Sequence, residues 1–180
     1  MDTGSMDNLT VHVLGDYCQF SRMWKSIGYK LQIGQSSFLL DCGAPLFQQL
    51  GGHGLKGIAG VIVTHCHDDH KRWLGDLALF CRYAPDVQKK VRLFTSERVY
   101  DDLREATAPA LTRGLSDDSK TVVDLAFEDF IEHHLLGPRA RFRIVSEGYG
   151  STPAVTDRQG NVLPSDRAKI IINPKTKITR

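Results

Sequence analysis

From Leu9 to Leu14 apolar and polar residues alternate, with Val11 and Val13 on one face, before Gly15-Asp16 ends the run; a period of two predicts a strand. Residues 15–27 read as a loop. Tyr29, Leu31 and Ile33 then alternate with polar neighbours, Gly34-Gln35 supplies a turn, and Phe38-Leu39-Leu40 opens a more deeply buried strand, so a β-hairpin is expected here. The hairpin stops at Asp41-Cys42-Gly43, where a carboxylate stands at the end of an apolar strand beside a permissive glycine. Residues 44–57 suit a short helix and a glycine-rich turn, and Val61-Ile62-Val63 is an unbroken apolar run typical of a strand buried on both faces. From Asp69 onward the period changes, with Leu74, Leu77, Ala78 and Cys81 at helical spacing until Pro85 closes the segment.

Residues 91–94 read as another strand, Thr95 or Ser96 can cap a helix running to about Ala108, and residues 109–119 form a polar connection. Val123, Phe127, Phe130 and Ile131 predict a second amphipathic helix ending at Gly137-Pro138. Beyond it, residues 142–145 and 169–172 are strand-like and flank a loop rich in glycine and proline. There is no internal repeat. Hairpin, then strand, helix, strand, helix and further strands predict one α/β layered domain over residues 6–180, with a mixed sheet and flanking helices.

Composition adds limits. The 180 residues, 41% hydrophobic and 24% charged, suffice for one globular domain with a real core. No apolar run approaches the ~20 residues that cross a bilayer, and the N-terminus lacks the basic-then-apolar plan of a signal peptide, so a cytoplasmic protein without membrane contact is expected. Residues 1–5, before Met6, carry no structural pattern and read as an expression scar. Cys18, Cys42, Cys66 and Cys81 show no CxxC pairing and look like reduced thiols rather than an all-cysteine zinc site. A formal charge of +2 does not by itself imply nucleic-acid binding.

Chemistry concentrates at the strand-to-helix junction Thr64-His65-Cys66-His67-Asp68-Asp69-His70. A zinc-type ion prefers imidazole nitrogen and carboxylate oxygen, and a catalytic ion keeps a position open for water. His65 and His67, two apart as the chain leaves a strand, can aim at one ion while Cys66 points away. Asp69 and His70, adjacent at a helix start, diverge by about 100° and can reach a neighbouring ion about 3.5–4 Å off. The bland alternative is a polar loop with accidental histidines, but three of the seven histidines fall within six residues here. Asp68 can instead cap the helix.

The segment resembles the H-x-H-x-D-H signature of the metallo-β-lactamase superfamily. The apolar strand plus Thr64 before it, and the strand ending at Asp41-Cys42-Gly43, are similar to further elements of that family, so the resemblance covers roughly residues 9–100. It looks most like the branch of tRNA 3′-processing endoribonucleases and related phosphodiesterases. The resemblance implies a four-layer αββα sandwich and one or two zinc ions, with manganese or iron as alternatives. It gives His65 and His67 to the first ion, Asp69 and His70 to the second, and to Asp41 the task of accepting a ligand histidine's remaining N–H. It further implies hydrolysis of phosphodiester or related ester bonds, in small-molecule, nucleotide or RNA substrates, by a water that Asp69 orients and deprotonates.

The family's site also needs a third histidine, a bridging aspartate and a last histidine from the C-terminal half. After His70 only His133 and His134 remain, in the predicted second helix, where they read as an exposed helix end; Asp157 and Asp166 lack a motif. Three readings stay open: a fragment of a longer enzyme, a short variant whose site is completed across a homo-oligomer interface, or a non-catalytic interaction or regulatory module keeping half a site. The loop with Tyr17, Phe20, Arg22 and Trp24 can border the site and contact substrate or pack on the sheet.

Overall fold

The computed structural model describes residues 9–22, 25–116 and 120–137, and the backbone of one strand at Lys177–Thr179. In chain order the elements are β1 (Leu9–Gly15), β2 (Gly28–Ile33), β3 (Ser36–Cys42), α1 (Leu46–Lys56), β4 (Ile58–Ile62), α2 (Asp68–Lys71), α3 (Leu74–Tyr83), β5 (Val91–Thr95), α4 (Glu97–Thr107), β6 (Arg113–Leu115), β7 (Val122–Asp124), β8 (Ile131–Leu135) and β9 (Lys177–Thr179). The sheet order is β8-β5-β4-β3-β2-β1-β9, and β6 and β7 form a separate hairpin.

The mixed character of the sheet follows from the connections. β1, β2 and β3 are joined by loops and pair antiparallel. Within this sheet, from β3 onward a helix lies between each strand and the next, so β3, β4, β5 and β8 pair in parallel. Successive residues of a strand face opposite sides, which splits the apolar runs between two clusters. Leu39, Val61, Leu93 and Ile131 meet Leu46 and Leu55 of α1, Leu74, Leu77 and Cys81 of α3 and Leu103 of α4 in the main core. Phe38, Ile62 and Phe94 point the other way and gather Leu31, with half-buried Val11, Ile33, Leu40 and Leu136 around them. Val61, Ile62 and Val63 are thus buried on both faces, as their sequence predicts. Among the described residues there is one such sheet, with one helical layer against it. Leu39 is fully buried in the middle strand, so Leu39→Ala is expected to cost about 2–5 kcal/mol in chemical denaturation.

Two predicted helices need correction. The segment after Asp69 is not continuous: α2 and α3 are separated at Arg72-Trp73, where the Trp73 N–H donates to the Cys42 carbonyl at 3.0 Å. The helix expected around residues 123–131 is instead β7, a 3-10 turn at Phe127–Asp129, and β8. Phe127, Phe130 and Ile131 are buried as predicted, but a single turn places residues three apart on one side as well as a helix does. Ser96, not Thr95, caps α4, accepting from Val99 N–H at 3.4 Å, while buried Thr95 donates its hydroxyl to the Val63 carbonyl. The strand-like segments at 142–145 and 169–172 lie outside the described residues.

Candidate metal centre

The site grows from the parallel pairing of β3 and β4, which sets Leu40 beside Ile62 and brings the carboxyl ends of the two strands together. Asp41, at the end of β3, adopts the left-handed conformation (φ 57°), one that aspartate tolerates better than most side chains. Its residue is only 3% exposed, and its carboxylate is surrounded by donors. Oδ1 accepts from the Thr64 backbone N–H at 2.8 Å, both oxygens lie 3.0 Å from Thr64 Oγ1, and Oδ2 lies 2.7 Å from His70 Nδ1. Gly43 presses against the ligand loop so closely that a Cβ there would fall 1.6 Å from the Asp69 carbonyl oxygen.

The three histidines of the motif converge. His65 and His67 have ring centroids 4.6 Å apart, and His65 and His70 4.0 Å. His65 Nε2 faces His67 Nδ1 at 3.1 Å, and His70, its Nδ1 turned to Asp41, has Nε2 3.9 Å from Asp69 Oδ2. Tetrahedral coordination at about 2.0–2.1 Å per bond puts two nitrogen donors about 3.3 Å apart, so the His65–His67 pair matches the spacing of two donors on one zinc-type ion. The Asp69–His70 pair is slightly wider. Among the described residues no three His, Cys, Asp or Glu side chains form a group that could hold an ion; the cluster offers the close His65–His67 pair and the wider Asp69–His70 pair.

Cys66, between the two histidines, turns back onto the main core as its alternation predicts. Burial pushes its thiol up, and it pushes Cys42 and Cys81 up too, with the Asp41 charge adding to the effect at Cys42. Burial thus disfavours the thiolate that a metal would need. Asp68 does not cap α2; it pairs with Lys71 at 2.6 Å, and that ammonium holds its carboxyl below the usual range.

His133 and His134 sit on β8, not at a helix end, and each is engaged elsewhere. His133 stacks on Tyr100 with centroids 4.0 Å apart and its Nε2 lies 3.2 Å from the Thr95 carbonyl. His134 stacks on Phe94 at 4.8 Å, and burial there holds it below the ordinary imidazole range. Neither joins the cluster at His65–His70. In the first loop Tyr17 and Phe20 are exposed, Phe20 by 85%. Trp24, Asp157 and Asp166 lie outside the described residues. Thr64 stands at the head of the motif in the sequence, but its contacts to Asp41 depend on β3 lying beside β4, which no local pattern shows.

The family model for the Anti-Pycsar protein Apyc1 matches residues 18–155, well over half of the chain. The chain belongs to the Anti-Pycsar Apyc1 family. The match reaches beyond the stretch of residues 9–100 that carried the sequence resemblance. The Anti-Pycsar protein Apyc1 of Paenibacillus sp. (strain J14) is 31% identical over 112 residues, 61% of this chain and 44% of that protein. Ribonuclease Z of Mycobacterium bovis (strain BCG / Pasteur 1173P2) is 37% identical over 51 residues, 27% of this chain and 18% of that protein. The metallo-β-lactamase fold protein YhfI from Bacillus subtilis superposes with a TM-score of 0.54 at 19% identity, covering 79% of this chain and 49% of that one. This Apyc1-family chain therefore has the metallo-β-lactamase fold, as its motif implied. It spans less than half the length of the relatives it matches. Among its described residues no helix is long and apolar enough to cross a membrane.

Proposed function

We propose that this Apyc1-family chain carries the metal-binding part of a hydrolase that cleaves phosphodiester or related ester bonds in nucleotide or RNA-like substrates. The observation that carries the reading is the facing of His65 Nε2 and His67 Nδ1 at 3.1 Å, beside a His70 ring turned by buried Asp41. His65 and His67 would hold one zinc-type ion, and Asp69 and His70 a second, manganese or iron being alternatives. Such ions, when bound, supply a nucleophilic water at neutral pH and neutralise charge on a phosphoryl oxygen. Asp69, with its side chain 14% exposed at the edge of the cluster, is the group placed to orient that water and take its proton. A relative named Ribonuclease Z favours phosphorus over a carbonyl centre.

Elemental analysis of the purified full chain should find zinc, manganese or iron, and bis-p-nitrophenyl phosphate should be hydrolysed when metal is added. His67 is exposed, so His67→Ala is expected to leave the fold intact while lowering turnover by about two orders of magnitude or more. Protein that neither retains an ion nor turns over that ester would refute the reading. The pairwise arrangement of donors also favours a second reading, a non-catalytic module on the same fold. That reading predicts at most one weakly held ion and no turnover. Hydrolysis regained on adding a longer C-terminal segment would decide against it and for a fragment of a larger enzyme.

A further inference from the structure

We infer that Thr64 is a positioning residue that relays the Asp41 carboxylate to His65, so that one buried acid fixes the tautomers of two imidazoles. An ionised carboxylate only accepts hydrogen bonds. Both Asp41 oxygens lie 3.0 Å from Thr64 Oγ1, so the single hydroxyl proton is directed to Asp41. On its other side the same oxygen lies 3.0 Å from His65 Nδ1, and there it has only a lone pair to offer. Nδ1 of His65 therefore carries the proton, and Nε2 is left bare. His70 reaches the same state directly, its Nδ1 donating to Asp41 Oδ2 at 2.7 Å.

The arrangement sets an order on the rest of the cluster. Bare His65 Nε2 accepts at 3.1 Å from His67 Nδ1, which must then hold the proton between them. His67 is exposed and can shift that proton to its own Nε2, so of the three rings it is the one free to change tautomer when an ion arrives. Thr64 and Asp41 hold the other two in the form a metal requires. The consequence for metal binding rests on the reading above, whereas the tautomer is a property of the metal-free chain and can be measured without any ion.

The test is long-range 1H–15N correlation on the metal-free full chain, with zinc affinity measured by chelator competition. Wild type should show His65 and His70 protonated at Nδ1. In Thr64→Val, which keeps the shape and removes the hydroxyl, His65 should shift toward the Nε2-protonated form, with His67 Nδ1 turning acceptor and His70 unchanged, and zinc affinity should fall at least about tenfold. Thr64→Ser should restore both. The inference is overturned if wild-type His65 is protonated at Nε2, or if His65 keeps its tautomer in the valine variant. A tautomer that shifts as expected in a chain with no zinc affinity would sustain the role of Thr64 and sink the metal-site reading instead.

Discussion

Asp41→Asn is expected to weaken zinc binding at the His70 side of the site by about ten- to a hundredfold, while the chain still folds. Asparagine tolerates the left-handed backbone that Asp41 adopts (φ 57°), so the substitution leaves the turn in place. It changes the direction of the hydrogen bonds. With its amide oxygen accepting from the Thr64 backbone N–H at the Oδ1 position, its NH2 group would take the Oδ2 position that lies 2.7 Å from His70 Nδ1. A donor there forces His70 to accept, moves the imidazole proton to Nε2, and so blocks the nitrogen that faces Asp69. Loss of the charge-assisted bonds should also cost about 1–3 kcal/mol of stability. Calorimetric zinc titration together with urea unfolding measures both effects. Unchanged affinity would show that Asp41 does not set the orientation of the ligand.

Gly43→Ala is expected to do more damage to the fold than any other single methyl group added near the site. Gly43 is not needed for its backbone angle; it is needed for closeness. A Cβ at this position would lie 1.6 Å from the Asp69 carbonyl oxygen, 2.2 Å from the Asp69 carbonyl carbon and 2.9 Å from the His70 nitrogen. These are backbone atoms, which no rotamer change can move aside. Either the ligand loop lifts off the end of β3, or β3 moves out of the core that Leu39 anchors. Overpacking of this kind costs about 3 kcal/mol, and here it displaces two of the four proposed ligands as well. Thermal unfolding and zinc titration should both shift, and a variant with wild-type values for each would contradict the close docking of the loop.

Much of this could be read from the chain because its strands announce themselves. Alternation in residues 9–14 and 29–33, and the apolar run at 61–63, gave β1, β2 and β4 to within a few residues. The stretch 65–70 stood out as a candidate because strand and helix periodicities meet there, and the structure brings the rings of His65, His67 and His70 together. The segment 123–135 was misread for a definite reason. Phe127 and Phe130 are three apart, a spacing that one isolated turn satisfies, and the strand that follows is recognisable only once β5 lies alongside it. The division of the predicted helix at Arg72-Trp73 was hidden in the same way, since the bond that causes it runs to Cys42, 31 residues earlier in the chain. Thr64 belongs with these cases: its hydroxyl is meaningful only through a partner on a neighbouring strand.

The amide groups of Thr64 and Trp73 are both tied to the short segment Asp41-Cys42, the first through a side-chain oxygen and the second through a backbone carbonyl. The stretch between them is therefore a closed ring clasped to the end of the central strand, not a free excursion of the chain. Part of the entropy of ordering the donors was lost when the polypeptide folded, so less of it is left for an arriving cation to remove. Both clasps run to residues at the end of β3, so the mobility of the donors is coupled to that of the protein's interior.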